Sequence, residues 1–272
     1  MIILAATPIG NLQDASERLR EVLAQAKYIA AEDTRSTHKL AQALGITLDA
    51  KLFSLNEQNE AERLDQLVAI AETEDLLVVS DAGMPTVSDP GFLLVRRAVQ
   101  AGIDVTAIPG PSAVITALAV SGLPTDRFTF EGFVPRKSGD RVKFFSRLIS
   151  ETRTMVFFEA PHRILESIDD AIAVFGANRD ASLSRELTKK FEQTVRGSLT
   201  DLREFVAGEP KGEMVLVLGG AVFEEVSVEE LTEQVLALAG SGMGLKAAVA
   251  QIASLHSVSK SELYQASLNR RN

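Results

Sequence analysis

Two loops limit the folds open to this chain more than any other feature. SDAGMPTVSDPG (Ser80–Gly91) and AIPGPSAVITAL (Ala107–Leu118) each follow a short β-branched run, LLVVS and IDVTAIP, and each leads into a helical pattern. Glycine- and proline-rich elbows at the ends of successive strands belong to α/β sheets, whose ligands sit in the crevice beyond the carboxyl ends of the strands. Glycine lets the backbone come close to a ligand, proline stiffens the loop, and Ser112 stands where it can cap a helix or touch a ligand. Neither elbow is a phosphate loop, since the chain has no GxxxxGK[ST] and no GxGxxG after a strand. A mononucleotide-like ligand without a polyphosphate suits them better.

The rest of the first half agrees. IILAAT, Tyr28–Ala31, KLFSL, LLVVS and VTAIP read as strands. Between them lie helices from Ser16, over Ser36–Leu44, over a stretch with Leu64, Leu67, Val68 and Ala71 on one face, and from about Gly91. Such alternation predicts a largely parallel sheet with helices on both faces. A turn-rich break, SGLPTD, follows at Ser121–Asp126. Beyond it, FTFEGFVP, TMVFFEAPHR, ASLSRE and GEMVLVLGG carry strand patterns, with a segment EQTVRG before the last and helices over Ser138–Ile149 and from about Arg163. More strands and fewer crossovers predict a mixed sheet. After Gly220, EEVSVEELTEQ reads as an acidic linker running into a helix. The last stretch is helical, with stripes Leu231, Val235, Leu238 and Leu245, Ala248, Val249, Ile252 and a final helix from Ser259. The fold class is thus α/β. Residues 1–121 and 122–222 are expected to form two α/β lobes with a cleft between them, and 223–272 a small helix-turn-helix-like domain.

Composition narrows the function classes. The 272 residues contain no cysteine, so neither disulfides nor thiolate metal sites are available, as suits a cytoplasmic protein. The three histidines, His38, His162 and His256, do not pair at ligand spacing, so no metal is expected. The opening MIILAATPIGNL has no basic segment before its apolar run and reads as a first strand rather than a secretory signal. No apolar run approaches the roughly 18 to 20 residues of a membrane span. A net charge of −9 argues against broad affinity for nucleic acid. The stretch from Val134 to Arg153 nevertheless gathers Arg136, Lys137, Arg141, Lys143, Arg147 and Arg153 against Asp140 and Glu151. It reads equally as a polyanion contact or a solvated helix face.

Serine-hydrolase chemistry lacks its GxSxG elbow. Polar clusters at strand ends remain: EDTRSTHK (Glu32–Lys39), FEAPHR (Phe158–Arg163), SRELTKKFE (Ser184–Glu192), and Asp81 directly after LLVVS. Each can line the crevice, or can serve only as helix cap and surface ion pair.

In order along the chain, ATPIGNLQDAS, AEDTR, SDAGMPTVSDPG, IPGPSA, FEGFVPRK, FFEAPHR and RELTKKFE resemble the bacterial ribosomal RNA small-subunit ribose methyltransferases. Those belong to the tetrapyrrole methylase family of S-adenosylmethionine enzymes, and the likeness runs from Met1 to about Gly220. The resemblance implies a two-lobed α/β fold with S-adenosylmethionine in the cleft, and a homodimer. It also implies methylation of a cytidine 2′-hydroxyl in the decoding region of 16S ribosomal RNA or the small ribosomal subunit. Carried over, the cofactor contacts fall on Pro8, Ile9, Asp81, Gly83, Met84, Ser112 and Ala113, with Phe158, Leu183, Glu213 and Met214 beside them. TPIGN stands where relatives acting on corrins and porphyrins have GxGxG, which favours the RNA branch. Candidate catalytic groups are Glu159, His162, Glu186 and Lys189. Phosphate contacts are expected from Arg35, Arg136, Lys137, Arg163 and Lys190. The competing readings are a tetrapyrrole-precursor methyltransferase of the same fold and a non-catalytic ribosome-assembly factor.

Overall fold

Four-residue apolar runs set the first sheet. In the computed structural model, which describes residues 1–209, 211–222, 227–256 and 258–271, these runs are β1 (Ile2–Ala5), β2 (Tyr28–Ala31), β3 (Lys51–Ser54), β4 (Leu76–Val79) and β5 (Val105–Ile108). All pairings are parallel, in the order β3-β2-β4-β1-β5. Central β4 is buried along its whole length, as a parallel strand covered on both faces must be. The helices are α1 (Glu17–Gln25), α2 (Thr34–Ala43), α3 (Glu60–Thr73), α4 (Phe92–Gln100) and α5 (Ala113–Ser121). Ser16, Asp33 and Ser112 cap α1, α2 and α5 with side-chain oxygens. The Asp33 cap starts α2 earlier than the expected Ser36.

The second sheet is mixed. It contains β6 (Phe128–Phe133), β7 (Thr154–Glu159), β8 (Asp180–Arg185), β9 (Gln193–Ser198) and β10 (Met214–Leu218), in the order β6-β7-β10-β8-β9, with only β6–β7 parallel. α6 (Ser138–Arg147), α7 (Ile164–Phe175) and α8 (Leu199–Val206) cover one face around Phe145, Phe157, Ile168 and Leu216. Helix α8 has no counterpart in the sequence reading. Its signal is the capping box of Ser198 with Asp201. The other face receives α5, whose Val114, Ala117 and Leu118 pack with Val156, Val215 and Val217. A helix that the chain order groups with the first sheet therefore completes the core of the second.

The basic stretch is not one surface. Arg141 is only 1% exposed and donates to Asp170 at 2.6 Å, with Glu166 at 3.5 Å. Arg153 pairs with Glu151 at 2.6 Å. Arg136 and Lys137 stay exposed.

Residues Met1–Ala221 form one compact unit and Val222–Asn272 a second. The second contains α9 (Val228–Gly240), α10 (Leu245–His256) and α11 (Lys260–Arg271), packed around Leu231, Val235, Val249, Ile252 and Leu263. The expected linker is helical from Val228, because Ser227 and Glu230 form a capping box. Its first residues, 224–226, lie outside the described residues. No described helix is long and apolar enough to cross a membrane.

Candidate active site

Both elbows and the ends of the second sheet surround a cavity of about 380 Å³. On the first-sheet side, Thr7 and Gly83 exchange backbone hydrogen bonds (2.9 and 3.0 Å), which tie the extension of β1 to the loop after β4. Gly83 has φ +81°, where a side chain is disfavoured, and this brings bare backbone to the cavity wall. The far end of that loop is anchored by a buried carboxylate. Glu60 accepts the N–H groups of Gly91, Leu93 and Leu94 at 3.0, 2.9 and 3.2 Å, and so caps α4. Between the two anchors Thr86 and Ser88 take left-handed φ values of 76° and 62°, a strain found mostly at functional loops.

This wall is acidic. Glu32 directly follows β2, Asp81 lies two residues beyond the neighbouring β4, and Asp89 lies near the end of the loop; all three line the cavity. Glu32 accepts the Asp81 N–H at 3.1 Å. Burial raises the Glu32 pKa above the usual range, the Asp81 N–H pulls it back, and the charges of Asp81, Glu57 and Asp33 add to the rise. Burial and then the Glu32 charge push Asp89 up to about 6; the Ser80 hydroxyl opposes this and Asp81 adds to it. Among the described residues no group of three His, Cys, Asp or Glu side chains is arranged to hold a metal ion.

The opposite wall is apolar. Phe133, Phe158, Met214, Val215 and Leu187 line it, with Glu159 behind. Glu159 is the last residue of β7 and its side chain is fully buried. It accepts from the Ala160 N–H at 2.7 Å, the Ser167 hydroxyl at 2.5 Å and the Arg163 guanidinium. With three donors on its roughly four acceptor sites, this carboxylate is held in place beside the Ala160–Pro161 rim.

Of the sequence-predicted cofactor residues, Ile9, Asp81, Gly83, Met84, Ser112, Ala113, Phe158, Glu213 and Met214 line the cavity. Pro8 does not, and Leu183 is turned into the core of the second sheet. Among the catalytic candidates only Glu159 reaches the cavity; His162 is exposed outside it. Lys189 bridges Glu186 (3.0 Å) and Glu213 (2.9 Å), a clamp between the loop after β8 and the edge of β10. The Lys189 hydrogen bond, and the Glu213 N–H at 3.1 Å, hold the Glu186 carboxyl below the usual range against the effect of burial. Among the phosphate candidates, Arg136, Lys137 and Lys190 are exposed, Lys190 lying 5.6 Å from the Phe191 ring. Arg35 is exposed but pairs with Asp33 at 2.6 Å, which lowers the Asp33 pKa to about 2. Arg163 is largely buried against Glu159 and so does not face a phosphate. The sequence reading did not single out Asp89 or Phe133. Asp89 had a signal, a second carboxylate within the same elbow.

A model of the tetrapyrrole (corrin/porphyrin) methylases matches residues 1–203. A ribosomal RNA small subunit methyltransferase I of Mycobacterium tuberculosis (strain CDC 1551 / Oshkosh) is 44% identical, covering 99% of this chain and 95% of that protein. The protein of the same name in Escherichia coli O157:H7 is 42% identical over 99% of this chain and 95% of its own length. Among solved structures, uroporphyrin-III-C-methyltransferase from Thermus thermophilus matches with a TM-score of 0.55 and 19% identity, over 80% of this chain and 93% of that one. A diphthine synthase matches with a TM-score of 0.58 and 16% identity, over 82% and 90%.

Proposed function

The chain belongs to the tetrapyrrole (corrin/porphyrin) methylase family, and from that premise we propose that it methylates the 2′-hydroxyl of a cytidine in the decoding region of 16S ribosomal RNA. The methyl donor is S-adenosylmethionine. One observation carries the substrate class: the 42–44% identity to ribosomal RNA small subunit methyltransferases extends over 99% of the chain. The porphyrin and diphthine enzymes, at 16–19% identity, share the fold alone.

The residues around the cavity fit the cofactor. Small-molecule sites typically span about 300–1,000 Å³, and this cavity, about 380 Å³, offers carboxylates on one side and apolar surface on the other. S-adenosylmethionine, when bound, supplies a methyl carbon activated by a sulfonium charge. Glu32 and Asp81 favour a positively charged ligand at the strand ends. Ile9, Met84, Val114, Leu187 and Val215 exclude water and limit the ligand's freedom, which is how alignment of reacting atoms is achieved. Asp89 accepts the proton of the ribose hydroxyl. It lines the cavity, half-buried, and is not held by three donors as Glu159 is.

Arg136, Lys137 and Lys190 hold phosphates. The sheets act as lobes 1–121 and 122–222, and 223–272 as an appended helical domain. The edge strand β5 leaves Thr106 and Ala107 exposed, and Ile115 of α5 is 52% exposed. These exposed positions support a homodimer, and we assign the protein to the cytoplasm. The test is incubation of the full-length protein with methyl-labelled cofactor and small ribosomal subunits from cells lacking the activity. Label on a cytidine ribose, located by mass spectrometry, is the expected result. Label in a porphyrin precursor, or no label, overturns the reading.

A further inference from the structure

Phe133 is a large apolar side chain left 60% exposed while lining the cavity. Local irregularity puts it there. Between Phe130 and Phe133, β6 carries one residue more than its partner β7: Phe130 lies opposite Val156, yet Phe133 lies opposite Phe158. Side chains alternate faces along a strand, so a regular β6 would set Gly132 opposite Phe158 and send Phe133 to the other face. The bulge reverses this, and Gly132, at φ +72°, provides the turn that it requires. Bulges of this kind often re-aim a side chain beside an active site.

The re-aimed ring joins an aromatic row. Phe130 meets Phe158 edge-on at 4.9 Å, and Phe133 meets Phe158 edge-on at 5.4 Å. Phe130 and Phe158 belong to the cluster beneath α5, whereas Phe133 carries the row out to the rim. Exposed Arg136 and Lys137 follow within four residues, ahead of α6. An exposed aromatic face beside cations is the arrangement that single-stranded nucleic acid uses, with bases stacking on rings and phosphates on basic groups. An enzyme acting within a folded RNA must draw its target nucleotide out of the stack and give the base a new surface.

We propose that Phe133 is the platform on which the base of the target nucleotide stacks when its ribose enters the cofactor cavity, with Arg136 and Lys137 taking the neighbouring phosphates. The assignment rests on the RNA reading above. It gives Phe133 no part in the methyl transfer itself.

The experiment compares wild type, F133A, F133L and F133W as full-length proteins. The ligand is a small subunit or 16S-derived RNA carrying a fluorescent cytidine analogue at the nucleotide the wild type methylates. Stacking quenches the analogue. Wild type and F133W should quench it, while F133A and F133L should not and should bind the RNA on the order of 10- to 100-fold more weakly. The melting temperature should be the same in all four, and cofactor affinity by calorimetry should change far less than RNA affinity. Equal quenching and affinity in F133A overturn the proposal and leave the RNA reading intact. So does a loss confined to cofactor affinity, or dissociation of a wild-type dimer by F133A, since the ring would then face the cofactor or a second copy. A wild type that neither binds nor methylates the RNA overturns both.

Discussion

Glu60, which anchors the loop after β4, and Glu159, which lines the cavity, are both buried carboxylates, and they are satisfied in different ways. Glu60 gathers backbone N–H groups at the start of a helix, so its charge meets a dipole. Glu159 meets a guanidinium, a hydroxyl and one backbone N–H. Glu32, Asp81 and Asp89 are less fully engaged and all lie on the first-sheet wall. The two buried acids thus differ in their donors, and burial alone does not distinguish them.

Removing each supporting acid should expose the difference. E159A leaves the Arg163 guanidinium buried without its counter-charge, and should cost about 3–5 kcal/mol in urea unfolding. E60A strands backbone donors without leaving a buried charge, so its cost should be smaller, about 2–3 kcal/mol. Equal losses would mean that the two carboxylates are doing the same job.

Among the acids of the first-sheet wall the comparison becomes one of rate and pH. D89N should lower single-turnover methylation about 10²-fold with cofactor affinity changed little. Wild-type activity should climb as pH passes 6, where Asp89 ionises, and the variant should lack that limb. Stability should move the other way. The Asp89 pKa lies above its value of 3.8 in the unfolded chain, so the native state keeps the proton longer and loses stability as pH rises from about 4 to 6. D89N should melt at a higher temperature than wild type at pH 7 and at the same temperature at pH 3. D81A should weaken cofactor binding about tenfold and leave the melting temperature unchanged, because Asp81 is exposed. The smallest change belongs to the rim: R136A and K137A should each reduce the salt slope of RNA binding by about 0.7.

Much of this was legible. Apolar runs of uniform length gave the strands, and serine caps gave several helix starts. The paired elbows correctly marked the cavity, because glycine and proline fix local geometry wherever the chain goes. Other features depended on partners distant in sequence. Arg141 looked like one more surface cation, yet Asp170 draws it inside. Arg163 looked like a phosphate ligand and is the counter-ion of Glu159. α8 was overlooked because a strand pattern precedes it and its capping box is short.

The succession of most strands and helices and the absence of a polyphosphate loop were fixed by residue type and spacing, which act over a few positions. Which carboxylates line the cavity, which cations face solvent and which ring reaches the rim were decided only in three dimensions. Charge compensation depends on groups brought together from separate elements, and a single extra residue in β6 reverses the face on which Phe133 stands.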